Sequence, residues 1–201
     1  MKNDHFEHKA REWDARELSQ LISRGIGAEL LRRVRLDPGL RVMDFGAGTG
    51  LICAQVAPMV QRVWAVDISP AMLERLAAKP ELRGRVEPVC QDIVTEPLGQ
   101  RFDLIISAMA LHHVRETGRL LERFHELLEP GGRIALADLD QEDGSFHPPD
   151  VQGVYHQGFA RDWLRGQAEA AGFEAVEFTT ALQIPKADRV YPVFLMTARR
   201  P

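Results

Sequence analysis

The stretch Val42-Met43-Asp44-Phe45-Gly46-Ala47-Gly48-Thr49-Gly50 decides the fold. Leu40 to Phe45 reads as a short buried strand, and Leu51 to Met59 reads as a helix. Between them lies a glycine-rich turn. Doubly wound α/β folds use a strand, a tight turn and a helix in this order to bring backbone N–H groups close to a nucleotide. Glycines suit the turn because a Cβ would block that approach. The spacing here is GxGxG, with Leu51 where the dinucleotide fingerprint GxGxxG has its last glycine.

Outward from this stretch, strands alternate with helices. Arg62 to Val66 is a second strand ending at Asp67, and Ser69-Pro70 starts a helix running to about Lys79, with Ser69 as cap and Pro70 in its first turn. Arg85 to Cys90, Phe102 to Ser107 and Arg133 to Leu139 read as strands three to five. His113 to Leu128 has helical period and stops at Glu129-Pro130-Gly131-Gly132. From Asp140 to about Gly158 the pattern lapses, and a connector of that length is usually functional or disordered. Phe159 to Ala171 is a helix capped by Gly172. Ala175 to Thr180 and Tyr191 to Ala198 are two last strands, joined by a loop around Pro185. No helix fits between them, so the last strand should return antiparallel. The expected class is α/β: a three-layer, doubly wound, seven-stranded sheet, mostly parallel with an antiparallel last strand.

Composition bounds the reading. The chain has 201 residues, 45% hydrophobic and 27% charged, the balance of one ordinary folded domain. Such a chain buries about 70% of its unfolded surface and needs no disulfide staples. The net charge of −4 argues against a general nucleic-acid binder. Cys53 and Cys90 have no CxxC spacing and read as reduced core residues. The start is charged rather than apolar, and the longest apolar runs are far short of the ~20 residues that span a bilayer, so the expected location is the cytoplasm.

Three carboxylates stand at successive strand ends. Asp67 is placed to accept from both hydroxyls of a ribose. Asp92, after the third strand, can reach the exocyclic amine of adenine. Asp44, just before the loop, can hold a cationic ligand through water or the loop backbone. This set suits an adenosine group bearing positive charge and would repel a pyrophosphate. The sequence places no lysine or arginine in or beside the loop.

The segments VMDFGAGTG (42–50), VDISPAML (66–73), QDI (91–93), FDLIISAMALHHV (102–114) and LEPGGRIALAD (128–138) occur in order, and with them the chain resembles the class I S-adenosylmethionine-dependent methyltransferases. The likeness is to the small-molecule, methyltransferase type 11 group that includes the ubiquinone and menaquinone biosynthesis type. It covers about residues 35–139. The resemblance implies S-adenosyl-L-methionine as cofactor. Gly46, Ala47, Gly48 and Gly50 would line its methionine portion, with Asp44 just before them. Asp67 would hold the ribose, Ile68 and Met72 would flank the adenine, and Asp92 with Ile93 would contact its edge. Ser107 would approach the aminocarboxylate or the methyl. The opening segment from His5 to Asp14 is similar to the aromatic lid with which many members begin; otherwise it is a solvated helix anchored by its aromatics. The implied division is a helical lid segment, 1–36, and an S-adenosylmethionine-binding domain, 37–201.

Methyl transfer leaves no obligatory catalytic mark, because the sulfonium departs as a neutral thioether and alignment does most of the work. A hydroxyl or amine acceptor gains from a base. His112 and His113 follow the fourth strand and are candidates for base or acceptor contact; the alternative is packing and loop orientation. His147, Tyr155 and His156 in the long loop, with Trp13 in the lid, are candidates for acceptor contact; the alternative is a loop closed by its own side chains. No metal is expected, since the histidines lack ligand spacing. Trp64 reads as core.

The reading is therefore a methyltransferase acting on a small molecule by in-line displacement, as a monomer or homodimer, with no nucleic acid or membrane partner. The rivals are an NAD-dependent oxidoreductase, disfavoured by the loop spacing, and a non-catalytic S-adenosylmethionine-binding module. Since the core takes residues 37–200, acceptor recognition falls to 1–36 and 140–158, and the acceptor should be small.

Overall fold

Arg41–Phe45, the first strand β1, is buried on both faces at its centre and separates two cores. Val42 faces one of them and Met43 the other, as the two-residue period of a strand requires. A computed structural model describes residues 10, 12–96, 98–148 and 151–201. The remaining strands are β2 (Arg62–Asp67), β3 (Val86–Cys90), β4 (Phe102–Ala108), β5 (Leu128–Leu139), β6 (Glu174–Lys186) and β7 (Arg189–Arg199). They form one sheet in the order β3-β2-β1-β4-β5-β7-β6. β1 to β5 pair in parallel, and β7 runs antiparallel to both β5 and β6.

Helices cover both faces. One side carries α1 (Glu17–Arg33), α2 (Cys53–Val56) and α3 (Pro70–Ala77). Their Ile26, Leu30, Val56, Leu73 and Leu76 pack on Val42, Leu104 and Ile106. The other side carries α4 (Thr117–Leu127) and α5 (Arg161–Ala170), whose Leu120, Phe124 and Leu164 pack on Met43, Ile105 and Ile134. Truncating any of these side chains to alanine costs about 2–5 kcal/mol. Gly27 lets α1 lie close to α2, since a Cβ there would stand 2.0 Å from Gln55 Oε1.

Several boundaries differ from the sequence reading. The helix expected from Leu51 shortens to α2 followed by a 3-10 turn at Ala57–Met59, because Pro58 cannot continue the ladder. α4 begins only at Thr117, and His112 and His113 sit instead in a 3-10 turn, Leu111–His113. The Glu129-Pro130-Gly131-Gly132 segment belongs to β5, whose pairing with β4 is irregular between Phe102 and Leu104. The loop expected around Pro185 is strand. β6 lies at the sheet edge, where a residue without an N–H is tolerated, and Pro185 pairs with Val190. The chain reverses at Ala187 and Asp188, with Ala187 at φ +53°.

That longer hairpin has a positional effect. β5 ends at Leu139, opposite Val193. Ile184 to Tyr191 therefore overhangs the carboxyl edge of the parallel strands, where doubly wound folds bind ligands. From α5 the chain leaves through Gly172 as expected: Phe173 N–H donates to Ala168 O and Gly172 N–H to Glu169 O, each at 3.0 Å. No helix among the described residues is long and apolar enough to cross a membrane.

Candidate active site

The strand order reverses between β1 and β4, and the glycine loop leaves β1 at that point. Gly46 N–H donates to Val66 O at 2.8 Å and Ala47 N–H at 3.1 Å, so β2 anchors the turn. Gly46, Gly48 and Gly50 all have positive φ. At Gly46 a Cβ would stand 2.3 Å from the Ala110 Cβ, so the loop and the turn after β4 touch there. Met109 bends that turn with φ +57°, a conformation a non-glycine residue holds at some cost.

Asp44 is fully buried beneath the loop. The Cys53 thiol donates to its Oδ2 at 3.1 Å. Burial pushes the Asp44 carboxyl up to about 7, against the Cys53 hydrogen bond and with help from nearby Asp67. Burial also raises the Cys53 thiol well above its ordinary value. Cys90, expected in the core with it, is instead exposed at the end of β3. Asp67 Oδ2 accepts from Gly48 N–H at 2.8 Å and Oδ1 from Ser69 N–H at 2.9 Å. The ribose candidate therefore also ties the glycine loop to the start of α3. Ser69 caps α3 by accepting from Met72 N–H.

The other cofactor candidates line the same edge. Asp92 is half-buried, and its Oδ1 accepts from Val94 N–H at 3.2 Å. Ile68 is 62% exposed, whereas Met72 and Ile93 are buried, Ile93 within the α4 and α5 core. Ser107 donates its hydroxyl to Phe45 O at 2.9 Å, between β1 and β4, so only its oxygen remains to accept.

The amino-terminal segment reaches the loop through Asp14, which sequence reasoning did not single out. Thr49 Oγ1 donates to Asp14 Oδ1 at 2.5 Å, and Lys79 Nζ lies 2.7 Å from Asp14 Oδ2. Lys79 is thus the cation beside the loop that linear spacing did not reveal. Trp13 precedes Asp14 in a 3-10 turn, with the Arg16 guanidinium 5.7 Å from its ring. The lid residues before Ala10, and Arg11, lie outside the described residues, as do the expected His5 and His8.

Beyond β4 and β5 lies a histidine cluster. His112 is buried, and its Nδ1 lies 2.7 Å from Asp138 Oδ1. The ring of His113 stands 4.1 Å from that of His112, and the ring of His147 stands 5.0 Å away. His113 Nδ1–H donates to Gly153 O at 2.7 Å. Burial, then the neighbouring His112, pull the His113 imidazole down to about 4.

The loop bearing His147 is clamped by the overhanging hairpin. Tyr191 Oη lies 2.7 Å from Ser145 Oγ, Lys186 donates to Phe146 O, Arg189 pairs with Asp143, and the Phe146 and Tyr191 rings meet edge to face. Tyr155 and His156 join the cluster through their backbone, donating N–H to His112 O at 2.9 and 3.3 Å. Their side chains go elsewhere. Tyr155 is 49% exposed under the Arg115 guanidinium, and His156 Nε2–H donates to Val114 O at 2.9 Å. Asp138 and Tyr191 were missed because their signal is pairing across the sheet, which linear spacing does not carry.

Residues 42–132 match a family described as a methyltransferase domain. Over that stretch the chain is similar to methyltransferase domains. An uncharacterized methyltransferase of Mycobacterium bovis is 35% identical over 117 residues, 57% of this chain and 55% of that protein. A ubiquinone biosynthesis O-methyltransferase of Nitrobacter winogradskyi is 31% identical over 129 residues, 63% of this chain and 47% of that one. The chain spans about half the length of the curated relatives it matches.

Solved structures share its fold. The methyltransferase in a Haloferax volcanii complex with the Trm112 methyltransferase activator superposes with a TM-score of 0.80 at 18% identity, covering 100% of both chains. The N-methyltransferase NodS of Bradyrhizobium japonicum, in complex with S-adenosyl-L-homocysteine, gives 0.73 at 16% identity, covering 99% of this chain and 100% of that one.

Proposed function

We propose that the chain transfers a methyl group from S-adenosylmethionine to a small-molecule acceptor by in-line displacement. Asp44 is the observation that carries this reading. A carboxylate fully buried under a glycine loop, with a thiol as its hydrogen-bond donor and its ionisation pushed up to about 7, stands where a cation would relieve it. The positively charged methionine end of the cofactor meets that need, and a pyrophosphate would worsen it. Asp67 and Asp92 would hold the ribose and the adenine edge, Ile68 and Met72 the adenine faces, and the Gly46–Gly50 backbone and Ser107 Oγ the methionine end. When bound, the cofactor supplies an electrophilic methyl on a sulfonium. The chain's own work is alignment and water exclusion.

Acceptor contact falls to the His112, His113 and His147 cluster, with the turn at Trp13 and Asp14 closing over the loop. Cofactor binding is tested by calorimetry with S-adenosylhomocysteine. Binding at micromolar concentration is expected; no heat at high micromolar concentration overturns the reading. A fluorescence titration with NADH, expected to show no saturation, tests the oxidoreductase alternative.

A further inference from the structure

We propose that Asp138 is a positioning residue that fixes the His112 ring as a proton acceptor, and that the methylated atom is a hydroxyl oxygen. This rests on the methyltransferase reading above and names the acceptor class for the same site.

Both side chains are buried, at 1% exposure for His112 and 0% for Asp138. Asp138 accepts from His112 Nδ1–H at 2.7 Å, from His112 backbone N–H at 3.2 Å and from Leu139 N–H at 2.8 Å. Burial pushes its carboxyl up, but His112 and these N–H donors outweigh it, and Asp138 titrates below the usual carboxylate range. Asp138 is therefore ionised at neutral pH, and a nitrogen 2.7 Å from a carboxylate oxygen must carry a proton. That places the neutral ring's lone pair on Nε2.

A buried pair of this kind is poor value as a stabiliser, since apolar residues of like volume do as well or better. Its position suggests another use. Asp138 lies near the carboxyl end of β5, and His112 follows β4, the strand beside it. Ala110, two residues before His112, abuts Gly46 of the cofactor loop. The charged or titratable groups facing His112 are Asp138 from β5, His113 from its own turn and His147 from the long loop. His113 is neutral at neutral pH, and Asp138 is the anion. A proton reaching Nε2 thus makes an imidazolium against a carboxylate.

The balance is simple. As the acceptor oxygen gains the methyl, its O–H bond breaks, the electron pair stays on oxygen and the proton moves to Nε2. The positive charge lost at sulfur reappears on the imidazolium. A thiolate or an ionised carbon acid needs no such group, and a neutral amine gains less from one, since it attacks through its lone pair and sheds its proton afterwards; a hydroxyl needs its proton taken as it attacks. His112 is only 1% exposed, with the His147 ring 5.0 Å from its own, so the cluster must open for an acceptor to touch Nε2.

Nitrogen-15 NMR of the ligand-free wild type at pH 7 tests the assignment first. His112 should show a protonated Nδ1 and an unprotonated Nε2, and Asp138→Asn should reverse or mix the two forms. An Nε2–H form in the wild type overturns the proposal, whether or not Asp138→Asn folds. The second readout is turnover of S-adenosylmethionine with a series of phenols of graded acidity and matched thiols. Phenol turnover should fall at least 100-fold in Asp138→Asn and in His112→Gln, with the loss shrinking as phenols become more acidic. Affinity for S-adenosylhomocysteine should stay within twofold. Turnover of thiols alone, or an equal loss across the phenol series, overturns it. Failure of the wild type to bind S-adenosylhomocysteine would instead remove the methyltransferase reading.

Discussion

Cys53 Sγ lies 3.1 Å from Asp44 Oδ2, and both groups are fully buried beneath the glycine loop. The thiol is a weak donor, so it offsets little of the desolvation that raises Asp44 from 3.8 to about 7. A carboxyl whose native pKa exceeds its unfolded value favours folding fully below pH 3.8, and that contribution is lost as pH rises through 7. Asp44→Asn should therefore stabilise the ligand-free chain at pH 8 by about 1–3 kcal/mol and do little near pH 4. Urea unfolding at the two pH values measures the difference. In the wild type, S-adenosylmethionine affinity should climb with pH through 7, as Asp44 ionises against the cation; in Asp44→Asn that climb should be absent.

Asp67 accepts from Gly48 and Ser69 N–H, and the proposed function gives it the ribose hydroxyls as well. Asp67→Ala should weaken S-adenosylhomocysteine binding by about 1–3 kcal/mol and also lower stability. Asp67→Asn keeps one accepting oxygen and should lose affinity with a smaller loss of stability. Equal affinity in all three proteins by calorimetry would remove Asp67 from the ribose site.

His113 makes the fold acid-sensitive. Its native value of about 4 lies below the usual 6.5, so the unfolded chain binds the extra proton in between, and stability drops as pH falls from 6.5 to 4. The loss between pH 7 and pH 5 should be about 2 kcal/mol. His113→Gln, which keeps a donor for Gly153 O, should flatten this dependence in urea titrations.

Asp14 closes the amino-terminal turn onto the loop through Thr49 and Lys79. Asp14→Ala should speed S-adenosylhomocysteine dissociation about tenfold, near 1.4 kcal/mol, and speed trypsin cleavage after Arg16, which is already exposed. Thr49→Val should reproduce most of this, because Lys79–Asp14 is partly solvated and contributes little alone. An unchanged dissociation rate would leave the turn with a purely structural role.

The fold and the cofactor half of the site were legible because their signals are local. Gly46 to Gly50, Asp67 and Asp92 each stand at a strand end that hydrophobic runs mark clearly. The acceptor half was not. His112 was visible as a residue, but its partner Asp138 is found only by knowing that β4 and β5 are neighbours in register. The hairpin was shortened because Pro185 reads as a loop residue, whereas an edge strand tolerates it, and the turn at Ala187 and Asp188 carries no glycine. Asp14 and Lys79 meet across the fold, beyond the reach of any linear pattern.

The overhanging hairpin makes the two halves of the ligand edge separable. In the proposed function residues 44–93 and Ser107 shape the cofactor side, while the loop at Asp143 to Phe146 and the hairpin at Lys186 to Tyr191 brace each other. Selectivity can then be exchanged as a cassette. Replacing the reverse turn and the loop it grips, together, would change which molecules are accepted and leave the electrophile's berth intact.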